Sequence, residues 1–173
     1  MARILMVIAA DQFRDEEYFD TRAALDHAGH ETVVASTRTG RCSGSRGGHA
    51  TAETTIDVER AADYDAVVFI GGSGSKLLVH NADAQRLALE ADAEGTLLAA
   101  ICHAPVILAA AGLLAGRRAT VTSDAVGLIE AEGASYTGAG VTVDGRIVTA
   151  DGPNSAAAFG RRIAELVGQS ADA

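Results

Sequence analysis

The sequence is poor in cysteine and lysine, and each shortage excludes a class of protein. Its two cysteines, Cys42 and Cys102, lie sixty residues apart, and neither a C-x-x-C pair nor a His/Cys cluster at zinc spacing occurs. A disulfide framework and a zinc site are therefore not expected. Lys76 is the only lysine among fourteen basic residues, and the net charge of −9 disfavours nucleic acid and anionic membranes as partners. We expect a cytoplasmic protein with no metal and no cofactor.

Long apolar runs are also missing. The N-terminal run, Ile4–Ala10, is seven residues long, whereas a membrane-spanning helix needs about 20. No small-residue cleavage site of a signal peptide follows it, so we interpret the run as a buried strand. The 173 residues, of which 4% are aromatic, are enough for one domain with a core of small aliphatic side chains. We predict a single domain over residues 1–173, with a frayed tail at 168–173.

Short apolar runs alternate with segments of helical spacing. Such alternation is typical of an α/β fold in which a mostly parallel sheet lies between layers of helices. Two hairpins are also predicted, one from Thr39–Gly48 with the strand-like Ala50–Val58, and one from Val141–Val143 and Ile147–Ala150 around Asp144-Gly145. The predicted strands are Arg3–Ala9, Glu31–Ser36, Ala66–Ile70 and Leu97–Ile101, and the predicted helices are Glu16–Ala28, Ala82–Ala93, Pro105–Leu114 and Asn154–Val167.

Cys102 lies in a segment with the pattern of a nucleophile elbow. The apolar strand Leu97–Ile101 precedes it, a small residue, Ala104, follows His103, and a helix is predicted directly afterwards. The positive end of that helix would favour the thiolate and lower the thiol pKa from its free value of about 8.5. The free N–H groups at that end could bind an oxyanion, and His103 could act as a base or a helix cap. Alternatively, Cys102 is a small core residue.

Two other turns are predicted at the same edge of the sheet. The segment from Gly71 to Lys76 lacks the Gly-Lys-Ser/Thr order of a P-loop and the third glycine of a dinucleotide-binding motif. Its glycines could bring a backbone N–H close to a neighbouring site, or simply connect a strand to a helix. The segment Asp11–Glu17 opens a helix, where acidic residues are ordinary partners of the helix dipole. Because parallel strands share one carboxyl edge, a carboxyl, a glycine backbone and a thiol can converge there.

Taken together, three segments resemble the ThiJ/PfpI superfamily, which includes protein deglycases and PfpI-type intracellular peptidases. They are the acidic turn Phe13–Glu17, the glycine turn Val67–Gly72 and the elbow Ala100–Pro105. The likeness runs over nearly the whole chain, and Cys-His-Ala is similar to the Cys-His-Gly of the PfpI branch. The resemblance implies a flavodoxin-like three-layer sandwich that forms a homodimer or a higher oligomer.

The resemblance also implies roles for individual residues. Cys102 would be the nucleophile, and Glu17, kept protonated, would donate a hydrogen bond to its thiolate. Gly72 and His103 would supply backbone N–H groups for an oxyanion. Independently of the resemblance, the position of the His103 side chain next to Cys102 makes it a candidate catalytic base.

The sequence departs from the PfpI-type peptidases at one position of their catalytic triad. Those enzymes place a glutamate shortly after the glycine pair, where Lys76 stands here, and this argues against peptidase activity. Asp124 stands where deglycase relatives carry a histidine near the thiol, and it could orient His103. A helix N-cap is the ordinary role for Ser123 or Asp124. Cys42 matches no motif, and we expect it to be non-catalytic.

Three functional hypotheses follow. The leading one is a cofactor-free cysteine enzyme, glyoxalase- or deglycase-like, whose thiolate adds to a small carbonyl substrate such as a 2-oxoaldehyde to form a hemithioacetal. The second is hydrolysis of a peptide, an amide or an isonitrile-type substrate at the same site. The third is an oxidative-stress sensor or chaperone in which Cys102 is oxidised to sulfinic acid without turnover.

Overall fold

A seven-stranded sheet forms the centre of the protein, whose structure, a computed structural model, describes residues 1–171. The strands of the described residues, in chain order, are β1 (Arg3–Val7), β2 (Asp11–Phe13), β3 (Glu31–Ser36), β4 (Gly40–Gly44), β5 (His49–Ala52), β6 (Thr54–Thr55), β7 (Ala66–Phe69), β8 (Leu97–Ile101), β9 (Arg118–Ala119), β10 (Ser135–Tyr136), β11 (Val141–Asp144) and β12 (Ile147–Ala150). Seven of them form the central sheet, in the order β11-β12-β8-β7-β1-β3-β6. Neighbouring strands are parallel, except that β11 is antiparallel to β12.

Helices cover both faces of this sheet. Because side chains alternate along a strand, Leu5 and Val7 of β1 enter one core and Ile4 and Met6 enter the other. The first core includes residues of α2 (Ala82–Glu94), α3 (Pro105–Ala110) and α4 (Val126–Ala131), and the second includes residues of α1 (Asp15–His27) and α5 (Ala156–Ala171). The predicted three-layer α/β sandwich with a mostly parallel sheet is confirmed. Among the described helices, none is both long and apolar enough to cross a membrane.

Two predicted helix boundaries are wrong. Helix α3 ends at Ala110 rather than Leu114, because Gly112 adopts the left-handed conformation, with φ of 81°, that ends a helix. Helix α5 continues to Ala171 rather than ending at Val167. The buried side chain of Val167 keeps the last turns against the core, so the predicted tail is helical up to Ala171. The other two residues of that tail lie outside the described part of the chain.

Both predicted hairpins are confirmed, and each differs from the prediction in one detail. Strands β4 and β5 pair antiparallel, but the strand predicted over Ala50–Val58 ends early and is followed by β6 and a 3-10 turn, Ile56–Val58. In the second hairpin Asp144 pairs with Ile147. The turn is therefore Gly145-Arg146, and Gly145 supplies the positive φ of 59°.

Three strands bring the predicted site residues to one edge of the sheet. Strand β7 lies between β1 and β8, and Phe69 pairs with Val7 on one side and Ala100 on the other. All three strands run in the same direction, so their carboxyl ends are adjacent. The acidic turn, the glycine turn and the elbow leave the sheet at these ends.

Where α1 and α5 pack together, one residue must be glycine. A Cβ at Gly160 would lie 2.8 Å from both the Ala24 Cβ and the Thr21 carbonyl oxygen. We expect Gly160→Ala to lower the free energy of unfolding by about 1–3 kcal/mol, although alanine favours helices. Gly168→Ala is the matched control in the same helix, because a Cβ there would meet nothing within 4 Å. It should raise stability by up to about 1 kcal/mol. Urea denaturation measures both effects, and equal effects would contradict the close packing.

Candidate active site

Cys102 lies on a strained turn directly after β8. Its φ is 66°, a left-handed value that is unusual for a residue other than glycine. The turn is held by hydrogen bonds from the Cys102 N–H to the Ala150 carbonyl, 2.9 Å, and from the Thr122 N–H to the Cys102 carbonyl, 2.8 Å. Helix α3 begins at Pro105. The predicted nucleophile elbow is confirmed, and the thiol is half-buried rather than part of a closed core.

Glu17 lies in the first turn of α1 and has no exposed surface. Its Oε1 accepts a hydrogen bond of 3.0 Å from the Gly71 N–H. Its Oε2 is buried and has no hydrogen-bond partner among the described residues. An ionised carboxylate would leave a charged oxygen without a donor in the interior, whereas a proton on Oε2 removes that cost.

The three turns approach each other so closely at Gly71 that only glycine fits. A Cβ at this position would lie 2.5 Å from Oε1 of Glu17, 2.6 Å from the Ile101 carbonyl oxygen and 2.7 Å from the Cys102 Cβ. The Gly71 carbonyl also accepts the Arg14 N–H at 3.0 Å. The convergence of a carboxyl, a glycine backbone and a thiol, predicted from the order of the strands, is therefore present.

Burial raises the pKa of Glu17 to about 7, although its contacts with Cys102 and with the Gly71 N–H act in the opposite direction. Burial also raises the pKa of the Cys102 thiol to about 12, and the charge of Glu17 adds to this increase. Each group therefore opposes ionisation of the other. Between these two values the pair holds one proton.

The prediction that the helix dipole lowers the thiol pKa is wrong. Helix α3 has only six residues, so its dipole is small, and burial with a neighbouring carboxyl outweighs it. Two donors do stabilise the thiolate, because the Thr122 hydroxyl and the Gly72 N–H hydrogen-bond to the sulfur and lower its pKa. The thiol therefore ionises most easily when the neighbouring Glu17 is protonated.

The two backbone N–H groups expected to bind an oxyanion are those of Gly72 and His103, and both lie at the elbow. Gly72, with φ of 106°, directs its N–H to the Cys102 sulfur. The N–H of His103 has no acceptor among the described residues. Both donors flank the elbow, where negative charge would develop on a substrate oxygen.

The His103 ring lies between two opposite charges. Burial lowers its pKa, the positive charge of Lys76 lowers it further, and the negative charge of Asp124 raises it. The ring is therefore neutral at pH 7. Its Nδ1 is buried without a hydrogen-bond partner in the described part of the chain.

Asp124 is not a helix cap. It lies in the 3-10 turn Ser123–Ala125, and neither this turn nor α4 has a side-chain hydrogen bond at its N-terminus. Asp124 instead lines the cleft with His103. Of the two roles considered for it, the structure favours the one beside His103, where it acts through its charge.

Two clefts meet at His103. The smaller, about 210 Å³, opens above Cys102, and the larger, about 510 Å³, extends away from it along α3 and α4. Lys76, His103 and Asp124 line both. Apolar side chains form much of the larger wall, namely Val79, Val106, Ala109, Ala110 and Leu128.

Sequence reasoning missed three residues that line the smaller cleft, Arg14, Ser73 and Thr122. Arg14 lies in the acidic turn and Ser73 in the segment from Gly71 to Lys76, so their proximity could have been predicted from the order of the strands. Thr122 could not, because the contact of its segment with the elbow depends on the packing of the chain after α3.

Asp15 and Cys42 have structural roles. Asp15, interpreted as a partner of the helix dipole, is buried and accepts hydrogen bonds from the N–H groups of Arg46, 3.0 Å, and Gly48, 2.7 Å. It thereby ties the β4–β5 hairpin to the start of α1. Cys42 is fully buried in the core beneath that hairpin. Residues 1–171 contain no group of three His, Cys, Asp or Glu side chains able to hold a metal ion.

Comparison with known proteins gives consistent matches. The sequence matches the DJ-1/PfpI family over residues 2–166. It is 40% identical to an uncharacterized protein of Methanocaldococcus jannaschii, over 96% of this chain and 82% of that protein. It is 30% identical to a deglycase of Thermococcus kodakarensis, over 94% and 98% of the two chains. A ThiJ/PfpI domain protein from Brachyspira murdochii, with a flavodoxin-like fold, superposes with a TM-score of 0.94 at 32% identity over 96% of each chain.

The raised pKa of Glu17 should make stability depend on pH. The folded state retains the proton up to a pH of about 7 and the unfolded state loses it near 4.5. The buried protonated carboxyl therefore makes its full contribution to the free energy of unfolding below pH 4.5, and this contribution is lost as the pH rises through 7. It amounts to on the order of 3 kcal/mol.

Glu17→Gln removes this titration. Between pH 4.5 and 8, the unfolding free energy of the wild type should therefore fall by on the order of 3 kcal/mol relative to that of the variant. Urea denaturation across this range measures the difference, in which the effects of all other carboxyl groups cancel. Parallel pH profiles of the two proteins would contradict the raised pKa.

Proposed function

The chain belongs to the DJ-1/PfpI family, and we propose that it is a cofactor-free enzyme that uses Cys102 to transform a small carbonyl compound, a 2-oxoaldehyde. The observation that carries this proposal is the pair of Cys102 and buried Glu17 at the base of a cleft. The pair supplies a nucleophile and a proton at the same point. Addition of a thiol to an aldehyde requires both.

In the first step, the sulfur of Cys102 attacks the aldehyde carbon and a C–S bond forms. The electron pair of the C=O bond moves to oxygen, which takes the proton that Cys102 and Glu17 share. The product is a neutral hemithioacetal beside an ionised Glu17. During attack, the N–H groups of Gly72 and His103 stabilise the developing negative charge.

In the second step, a base removes the hydrogen from the former aldehyde carbon, and the electron pair of that C–H bond forms an enediolate with the neighbouring ketone. The hydroxyl proton of the hemithioacetal passes to the former ketone oxygen, and the base returns its proton to the former ketone carbon. The result is a thioester of a 2-hydroxy acid. Water then hydrolyses the thioester and releases the 2-hydroxy acid and the thiol. The aldehyde carbon is oxidised by two electrons and the ketone carbon is reduced by two, so water is the only co-reactant.

His103 is suited to the role of that base. Its ring lines the cleft with Cys102, and burial and the charge of Lys76 lower its pKa, which favours the neutral ring that can accept a proton. The relatives from Thermococcus and Pyrococcus that are named deglycases agree with chemistry on small carbonyl adducts.

Hydrolysis of an amide or ester is the second candidate. It is favoured by one observation, the position of His103 beside Asp124 in the same chain. A burst of product from an activated ester, equal to the amount of enzyme, would indicate an acyl-enzyme and support hydrolysis. Absence of that burst in a protein active on 2-oxoaldehydes would support the first proposal.

The sensor hypothesis is separated from both by mass spectrometry. After mild treatment with peroxide, oxidation of Cys102 in a protein without any turnover would support a sensor. Turnover that is lost in proportion to the oxidation of Cys102 would support an enzyme.

We expect Cys102→Ser to reduce turnover of methylglyoxal, the simplest methyl-substituted 2-oxoaldehyde, by roughly a thousandfold or more. Serine is too weak a nucleophile at neutral pH to replace the thiolate. The matched control is Cys42→Ala, which removes the buried thiol of β4 and should leave kcat unchanged. Full activity of Cys102→Ser, in a protein that converts methylglyoxal to lactate, would reject the proposal.

The alkylation of Cys102 by iodoacetamide tests the role of Glu17. In the wild type, the rate should begin to rise near pH 7, where the pair loses its first proton and the thiolate with a protonated Glu17 becomes one of the two forms of the pair. At pH 7 we expect the alkylation rate to be highest in the wild type, lower in Glu17→Gln and lowest in Glu17→Leu. The amide of glutamine can still donate a hydrogen bond to the thiolate, and leucine cannot. Equal losses in both variants would remove the proposed role of Glu17.

A further inference from the structure

We infer that the cleft at Cys102 selects carbonyl substrates that carry a carboxylate, and that Lys76 is the residue that recognises it. This inference rests on the proposed function and specifies its substrate class. The observation behind it is the position of an unpaired cation in the cleft of the nucleophile. Lys76 lines both the smaller and the larger cleft.

Among the described lysine and arginine residues that line the two clefts, Lys76 is the one without an ion pair. All eight ion pairs found among residues 1–171 use an arginine. The ammonium group of Lys76 has no carboxylate within 4.0 Å, although the chain carries a net charge of −9. In a protein with 23 acidic residues, a lysine left unpaired beside a nucleophile is available to an anionic ligand.

Arg14 also lines the smaller cleft. Its Nε pairs with Glu16, and this pair largely neutralises its charge while it orients the guanidinium group. The positive charge without a partner in the cleft is therefore that of Lys76. Ser73 and Thr122 add hydroxyl groups to the wall between them.

The size and charge of the cleft favour a single carboxylate. A volume of about 210 Å³ corresponds to roughly seven water molecules, which is enough for a compound of about five carbons. Asp124 also lines this cleft, so a dianionic phosphate would meet stronger repulsion than a monoanion. A short 2-oxoaldehyde that ends in a carboxylate fits both conditions.

One such compound is 4,5-dioxopentanoate, and 2-oxopentanal is its neutral counterpart, with a methyl group in place of the carboxylate. Addition of Cys102 to the aldehyde, internal proton transfer and hydrolysis with one water would convert the first to 2-hydroxyglutarate and the second to 2-hydroxypentanoate. Each reaction balances without an external oxidant or reductant.

The first experiment does not depend on turnover. Iodoacetate and iodoacetamide alkylate the same thiolate and have similar sizes, but only iodoacetate is charged. The ratio of their rates at Cys102, divided by the same ratio for free cysteine, measures the preference of the cleft for an anion. Because both reagents attack the same thiolate, a change in thiol pKa cancels in the ratio. Mass spectrometry assigns the modification to Cys102 rather than to the buried Cys42.

We expect the normalised ratio to exceed one in the wild type and to fall about fivefold in Lys76→Gln, as loss of a charge contact near 4 Å in a watery cleft predicts. Lys76→Arg should retain the ratio and thereby exclude a loss of folding or shape as the cause. Arg161→Gln on the exposed surface of α5 changes the net charge equally and should leave the ratio unchanged. The same ratio in the wild type and Lys76→Gln would overturn the inference, as would an equal fall in Arg161→Gln.

The second experiment compares kcat/KM for 4,5-dioxopentanoate and 2-oxopentanal. The ratio of the two values should favour the carboxylate in the wild type and fall about fivefold in Lys76→Gln. Turnover of both compounds with the same ratio in both proteins would overturn this inference and leave the proposed function intact. Turnover of neither compound, with the alkylation ratio as expected, would reject the proposed function while the preference for an anion stands.

Discussion

A carboxyl group with no exposed surface lies between the three turns of the site, and the rest of the site depends on its burial. Glu17 reaches Cys102 only because Gly71 has no side chain, and the Gly71 N–H occupies one of the two carboxyl oxygens. The other oxygen has no donor among the described residues, so the carboxyl retains a proton up to a pH of about 7. Burial thus turns an ordinary acid into a proton donor at neutral pH.

This arrangement explains how a thiol can be reactive without a histidine that removes its proton. His103 follows Cys102 directly in the chain and lines the cleft with Lys76 and Asp124, and the charges that shift its pKa are those of these two residues rather than of the sulfur. The elbow contributes two donors to the sulfur, the Gly72 N–H and the Thr122 hydroxyl. These donors stabilise negative charge on sulfur, which the six-residue helix α3 cannot do alone. A proton held on Glu17 removes the repulsion by which the ionised carboxyl raises the thiol pKa.

The sequence predicted the parts of this site that depend on strand order. Three apolar runs with reactive residues after each were sufficient to place Glu17, Gly72 and Cys102 at one edge of a parallel sheet. The direction of the thiol pKa could not be predicted in this way, because it depends on how deeply the Glu17 carboxyl is buried. The short strands β9 and β10 and helix α4 were missed as well, since segments of two to six residues carry too little periodicity. Their packing is what brings Thr122 and Asp124 to the cleft.

The charges around His103 bear on the class of reaction. Hydrolysis of a peptide bond requires a group that protonates the departing amine, and a histidine does this only as an imidazolium ion. At this site burial and Lys76 together outweigh Asp124 and lower the pKa of His103, so an imidazolium ion formed when the ring takes the thiol proton would be destabilised. Isomerisation of a hemithioacetal has no leaving amine and needs a neutral base. A lysine at a position where the peptidases that the chain resembles carry a glutamate therefore disfavours peptide cleavage and favours chemistry on a carbonyl compound.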